Sequence, residues 1–225
     1  MSDAAVAIFR SACGLGSPLT IRCHEAGARK QETRTVTIDL PFVMVGRDRA
    51  ADIVLRDPLV SRRHAILLAA GARLFCVDLL SRTSLRWSDE DSVKSSGWLE
   101  PGQLLRVGPY ELSLPDRDGE ARDPEIGSAE IPSPFEDVAD EAESLPPFSL
   151  DLPIQIKGQD SRWAMKSRVV LVGREPSCQM TLLDDSVSRM HAILLRTPRG
   201  AWVIDLGARE GVLVNGTTVQ WAWLA

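Results

Sequence analysis

Ser61-Arg62-Arg63-His64 returns as Ser188-Arg189-Met190-His191, and Gly46-Arg47 returns as Gly173-Arg174, each displaced by 127 residues. A Ser hydroxyl and an Arg guanidinium both offer hydrogen-bond donors, and only the Arg carries charge. That pairing fits a phosphate or carboxylate oxygen better than a metal ion or a nucleophilic centre. Ser61, His64 and Asp78 do not make a hydrolase: a separation of three residues on a turn, as between Ser61 and His64, does not build a nucleophile–base pair, and no G-x-S-x-G precedes a helix. "HEAG" at 24–27 lacks the second His of a zinc motif. The expectation is a binding protein with no catalytic residue, no metal and no cofactor.

The elements that carry these residues come in two copies. The same offset takes Asp78 to Asp205, and residues 46–79 and 173–206 share 14 of 34 positions. Each copy is a series of short β-branched runs separated by polar or Gly/Pro stretches. The first has LTIRC (19–23), TVTIDL (35–40), FVMVG (42–46), DIVL (52–55), AILLA (65–69) and LFCVDL (74–79). The second has VVLVG (169–173), AILLR (192–196), AWVIDL (201–206) and GVLVNG (211–216), with Asn215-Gly216 as a two-residue hairpin turn. Such a pattern predicts an all-β chain of two β-sandwiches, with the repeated polar residues on loops at one end.

Between the copies, residues 115–147 hold eleven acidic residues, two Arg and a net charge of −9. Charge, proline and low hydrophobicity predict a disordered, self-repelling linker. The whole chain carries −5, so the remainder is near +4, which suits an anionic ligand. The overall balance argues against a nucleic-acid partner. No run of 18 apolar residues is present and residues 1–16 read as a poor signal peptide, so no membrane partner is expected. Cys13, Cys23, Cys76 and Cys178 are scattered, as for reduced thiols in a cytoplasmic protein.

These motifs resemble those of the forkhead-associated (FHA) domain, a phosphothreonine-reading β-sandwich. The family pattern runs Gly-Arg, Ser-x-x-His, an Asp-Leu-Gly-Ser-Thr-Asn-Gly-type loop, then Asn-Gly. The first copy offers Gly46-Arg47, Ser61 to His64 and DLLSRTS (78–84); the second offers Gly173-Arg174, Ser188 to His191, DLGAREG (205–211) and Asn215-Gly216. The resemblance implies an N-terminal segment (1–17), a first FHA domain (18–114), the linker (115–147) and a second FHA domain (148–225). That second domain ends 16 residues short of the length the first predicts, without its last strands.

By the same resemblance Arg47, Ser61, Arg174 and Ser188 contact the phosphate, and Arg62 and Arg189 add a contact. Gly46, His64, Asp78, Gly173, His191 and Asp205 support the site, the glycines by allowing a sharp turn. The family's Asn, which reads the peptide backbone, is replaced by Thr83 and Glu210, and the preceding Thr by Arg82 and Arg209. A carboxylate at 210 neither donates a hydrogen bond nor welcomes a dianion. Two functions follow as expectations. One is a phosphopeptide adaptor whose partners are phosphorylated proteins and a Ser/Thr kinase system; the other is a phosphate-independent scaffold with degenerate sites.

Overall fold

The computed structural model describes residues 3–27, 33–71, 73–88, 93–115, 150–156, 159–165, 167–197 and 200–224. They fall into two compact units, Met1–Ser133 and Pro134–Ala225. From residue 116 onward the stretch expected to be a disordered linker lies outside the described residues.

The first unit opens with α1 (Asp3–Ala12), followed by β1 (Leu19–Glu25), β2 (Arg34–Ile38), β3 (Phe42–Gly46), β4 (Ile53–Val54), β5 (Ala65–Ala70) and β6 (Arg73–Asp78). The short strands β7 (Leu85–Trp87), β8 (Val93–Lys94), β9 (Ser96–Leu99), β10 (Leu105–Val107) and β11 (Tyr110–Ser113) complete it. They form a five-stranded sheet, β4-β3-β5-β6-β9, and a six-stranded sheet, β2-β1-β11-β10-β7-β8. Val43, Val45, Ala65, Leu67 and Leu74 from the first sheet meet Ile21, Leu85, Leu105, Val107 and Leu112 from the second in one buried core.

All six side chains of β5 are buried, which explains why Ala-Ile-Leu-Leu-Ala-Ala shows no alternation. Alternate residues enter the core, while Leu68, in register with Phe42, lies on the opposite face. On that face Phe9 of α1 meets Phe42 at a ring separation of 6.2 Å. The Gly71 amide also donates to the Cys13 carbonyl at 3.1 Å just beyond the helix. The sequence reading contains no helix here. DAAVAIFRSA forms one because Phe9 and Ala12 fall three residues apart on a buried face, and Asp3 and Arg10 suit the ends of the helix dipole.

The second unit repeats the plan with β12 (Leu150–Ile156), β13 (Gln159–Met165), β14 (Val169–Gly173), β15 (Met180–Thr181) and β16 (Ala192–Thr197). It continues with β17 (Gly200–Asp205), β18 (Val212–Val214), β19 (Thr217–Val219) and β20 (Trp221–Leu224). β14 to β18 lie 127 residues beyond β3 to β7 at both ends of every strand. The five-stranded sheet is β15-β14-β16-β17-β20. Asn215 (φ 50°) and Gly216 (φ 78°) form the tight turn between β18 and β19, whose backbone twist requires two positive φ values.

The other sheet differs. Among the described residues it consists of two separate ribbons, β12-β13 and β18-β19, where the first unit has β10 and β11 between their counterparts. Val212 and Val214 are consequently half-buried, whereas the equivalent Leu85 and Trp87 are 0% and 4% exposed. The core of this unit is Met165, Val170, Val172, Met180, Ala192, Leu194 and Val203, with Trp163, Leu182 and Leu224 only partly covered.

Candidate functional site

Three loops of the first unit are bonded to one another at the sandwich tip. The Arg47 amide donates to the Ser61 carbonyl (3.0 Å) and the Asp48 amide to the Arg62 carbonyl (3.1 Å), joining the β3–β4 and β4–β5 loops. The Arg82 amide donates to Ser61 Oγ at 3.0 Å, and Thr83 Oγ1 donates to the Leu59 carbonyl at 3.2 Å, bringing in the β6–β7 loop. Ser61 Oγ thus accepts from the backbone, which leaves its own proton to be donated elsewhere. Arg47, Arg62 and Arg82 are exposed, and Ser61 and Thr83 are half-buried.

The second unit reproduces three of these four bonds, the exception being that of Thr83, whose counterpart is Glu210. Arg174 donates its amide to the Ser188 carbonyl (3.1 Å), and Glu175 to the Arg189 carbonyl (3.2 Å). The Arg209 amide donates to Ser188 Oγ at 3.1 Å. The side chains then diverge. Arg209 Nε donates to Glu210 Oε1 (3.0 Å) and its terminal nitrogen to the Asp185 carbonyl (3.0 Å), so this guanidinium is engaged by its own surroundings. Arg174 lines a cavity of about 400 Å³ with Leu183, Asp184 and Asp185.

The support residues act through the backbone. His64 is fully buried, and its Nδ1 accepts the Ser61 amide at 3.1 Å; His191 Nδ1 accepts the Ser188 amide at the same distance. A ring that accepts at Nδ1 carries its proton on Nε2 when neutral. His191 Nε2 donates to the Gly211 carbonyl at 3.1 Å. His64 Nε2 makes no hydrogen bond among the described residues, although the Ser84 backbone lies close enough to favour the charged ring. Burial outweighs that contribution and the nearby Asp78 charge, and holds the His64 pKa below its ordinary value of 6.5. Asp78 Oδ2 accepts the Ser81 amide (3.1 Å) and Asp205 Oδ1 the Ala208 amide (2.8 Å), so each closes its loop.

Gly46 and Gly173 serve a purpose other than the expected sharp turn. Neither has positive φ. A Cβ on Gly46 would collide with the Arg62 carbonyl, and one on Gly173 with the Arg189 carbonyl. Glycine is required because the Ser-Arg loop crosses directly over the strand end.

Among the described residues no group of three or more His, Cys, Asp or Glu is placed to hold a metal ion. All four cysteines are free and buried. Burial raises the thiol pKa of Cys13 to about 12 and of Cys23 to about 11, so neither offers a thiolate near neutrality. No helix among the described residues is long and apolar enough to cross a membrane. Sequence reasoning passed over Arg49 and Arg56, which lie on the same two loops as Arg47 and Ser61.

Both halves of the chain match known families. Residues 170–223 match the FHA domain family, and residues 30–118 match the family described as the inner membrane component of T3SS, cytoplasmic domain. The chain therefore carries two FHA-type domains in tandem. No curated protein matches it significantly. Among solved structures, the FHA domain of CT664 protein from Chlamydia trachomatis is 23% identical, with a TM-score of 0.38 over 44% of this chain and 98% of that one. Mycobacterium tuberculosis EmbR, solved in complex with a low-affinity phosphopeptide, is 21% identical, with a TM-score of 0.39 over 53% of this chain and 30% of that one. Mycobacterium tuberculosis Rv1747 FHA-1 is 23% identical, with a TM-score of 0.34 over 44% and 100% of the two chains.

Proposed function

We propose that the chain is a phosphothreonine-peptide-binding adaptor, recruited on the cytoplasmic side to proteins marked by a Ser/Thr kinase. The observation that carries this reading is the repeated tip. In each domain a Ser hydroxyl is held by a backbone amide with its proton left to donate, beside an exposed arginine on the adjoining loop. Arg47 with Ser61, and Arg174 with Ser188, grip the phosphate; Arg62 and Arg189 assist, and Arg82, Thr83 and Arg209 flank the peptide. Each charge-assisted bond is worth about 1.5–3 kcal/mol. The reading is of a binding module and not of an enzyme, in keeping with the FHA match.

A matched peptide array of phosphothreonine, phosphoserine and unmodified sequences tests it. Phosphothreonine peptides bind, their unmodified forms do not, and the double variant Arg47→Ala/Arg174→Ala loses the difference. Binding that is unchanged in the double variant rejects the reading. A phosphate-independent scaffold is the second reading, favoured by the engaged Arg209–Glu210 pair in the second domain. It requires partner capture that survives phosphatase treatment.

A further inference from the structure

The first domain's tip carries more arginine than one phosphate needs. Arg47, Arg49, Arg56, Arg62 and Arg63 lie on its β3–β4 and β4–β5 loops, and Arg82 lies on the β6–β7 loop. Three carboxylates share these loops, and all three are occupied by backbone. Asp48 Oδ1 accepts the Ala50 amide (3.0 Å), Asp57 Oδ1 the Leu59 amide (2.7 Å) and Asp52 Oδ2 the Met44 amide (2.8 Å). Among the described residues no hydrogen bond or ion pair holds the guanidinium of Arg47, Arg49, Arg56, Arg62 or Arg82. The acids build the loops and leave these cations free.

The second domain is a control on the same scaffold. Arg49 becomes Pro176, Arg56 becomes Leu183 and Arg63 becomes Met190 at the constant offset of 127. Gln179 takes over from Asp52, accepting the Leu171 amide at 2.9 Å, and Pro58 and Thr83 become Asp185 and Glu210. The loops keep their shape while the surplus positive charge disappears. Leu183, 75% exposed, lines the cavity beside Arg174, which puts its counterpart Arg56 at the rim of the first domain's anion site.

From this contrast we infer that the first domain selects phosphothreonine peptides with acidic flanks, whose carboxylates meet Arg49 and Arg56 around the phosphate at Arg47, and that the second domain has no such preference. The inference rests on the phosphate-reading function proposed above. It gives the two heads different ligand classes, one strongly anionic and one with a neutral or apolar flank.

The test uses the full chain carrying Arg174→Ala, so that the first domain alone reads phosphate. Fluorescence anisotropy compares one phosphothreonine peptide with Asp/Glu, Ala or Lys flanks. At low salt the acidic form binds about tenfold tighter than the Ala form, and the gap narrows at 0.5 M salt as flank charges are screened. Arg49→Ala and Arg56→Leu each take about two- to fivefold from the acidic peptide, with the Ala-flanked peptide unchanged within about twofold. Arg56→Leu copies the second domain's own residue, so the loop keeps a side chain that this scaffold accommodates. In the reciprocal Arg47→Ala chain, acidic flanks bring no gain. Phosphothreonine-dependent binding that ignores the flanks, or a flank preference that persists in both variants, overturns the inference and leaves the proposed function standing. Absence of phosphothreonine-dependent binding for every peptide defeats both.

Discussion

Two side chains in the first domain occupy backbone conformations that the second domain gives to glycine. Leu80 and Ser84 both have φ of 55°, and their counterparts Gly207 and Gly211 have φ of 71° and 72°. A non-glycine residue in this left-handed region costs about 1–2 kcal/mol, offset in part by the greater chain entropy of glycine. Ser84→Gly should therefore stabilise the first domain by about 0.5–1 kcal/mol, read as a raised urea midpoint with unchanged m-value. His64 sets a pH dependence of known sign. Its folded pKa is depressed by burial below the 6.5 of a free ring, so the unfolded chain binds the proton first. Stability is complete above about pH 6.5 and is lost as pH falls through the folded value. Urea midpoints from pH 7.5 to 5 should decline in the parent chain, and less in His64→Gln, which starts lower because the Ser61 amide loses its acceptor.

At the level of elements, the first domain has a hairpin, β10-β11, that has no counterpart among the described residues of the second. In the first, β11 pairs with β1 and β10 with β7, closing the six-stranded sheet and burying Leu105, Val107 and Leu112. In the second, β12 and β18 lack those neighbours among the described residues, and Val212, Val214 and Leu224 are only partly covered. A fusion that places the first domain's 100–114 sequence after position 225 should pair with both edges and cover this face. Each newly buried aliphatic side chain is worth about 1.5–3 kcal/mol before ordering costs. The second domain's melting midpoint should rise by several degrees, and amide exchange in β18 should slow. An unchanged midpoint means that the ribbons do not present a two-stranded slot.

For the whole molecule, the proposed function puts two phosphate-binding heads on one chain, which converts a second contact into an intramolecular event. A peptide with two phosphothreonines on a flexible spacer should bind on the order of 10²-fold tighter than either half. Arg47→Ala or Arg174→Ala alone should remove that gain and leave one head working. If the spaced peptide binds no tighter than its halves, the heads do not act together.

The sequence alone determined the repeat, because identity at a constant offset over Gly-Arg, Ser-x-x-His and Asp-Leu is a property of order along the chain. It also determined the strands with β-branched runs and the Asn-Gly turn, which report local backbone preference, but not β12 and β13, whose residues 150–165 carry no such run. The helix Asp3–Ala12 escaped it, since ten residues with two buried contacts give little periodic signal and the helix is held by Phe42 of a distant strand. Tertiary structure alone decided why Gly46 and Gly173 are glycine, because a collision with a carbonyl sixteen residues away has no local signature. It alone also separated the carboxylates spent on backbone amides from the guanidiniums left free, for composition counts charges while only folded geometry says which of them are already paired.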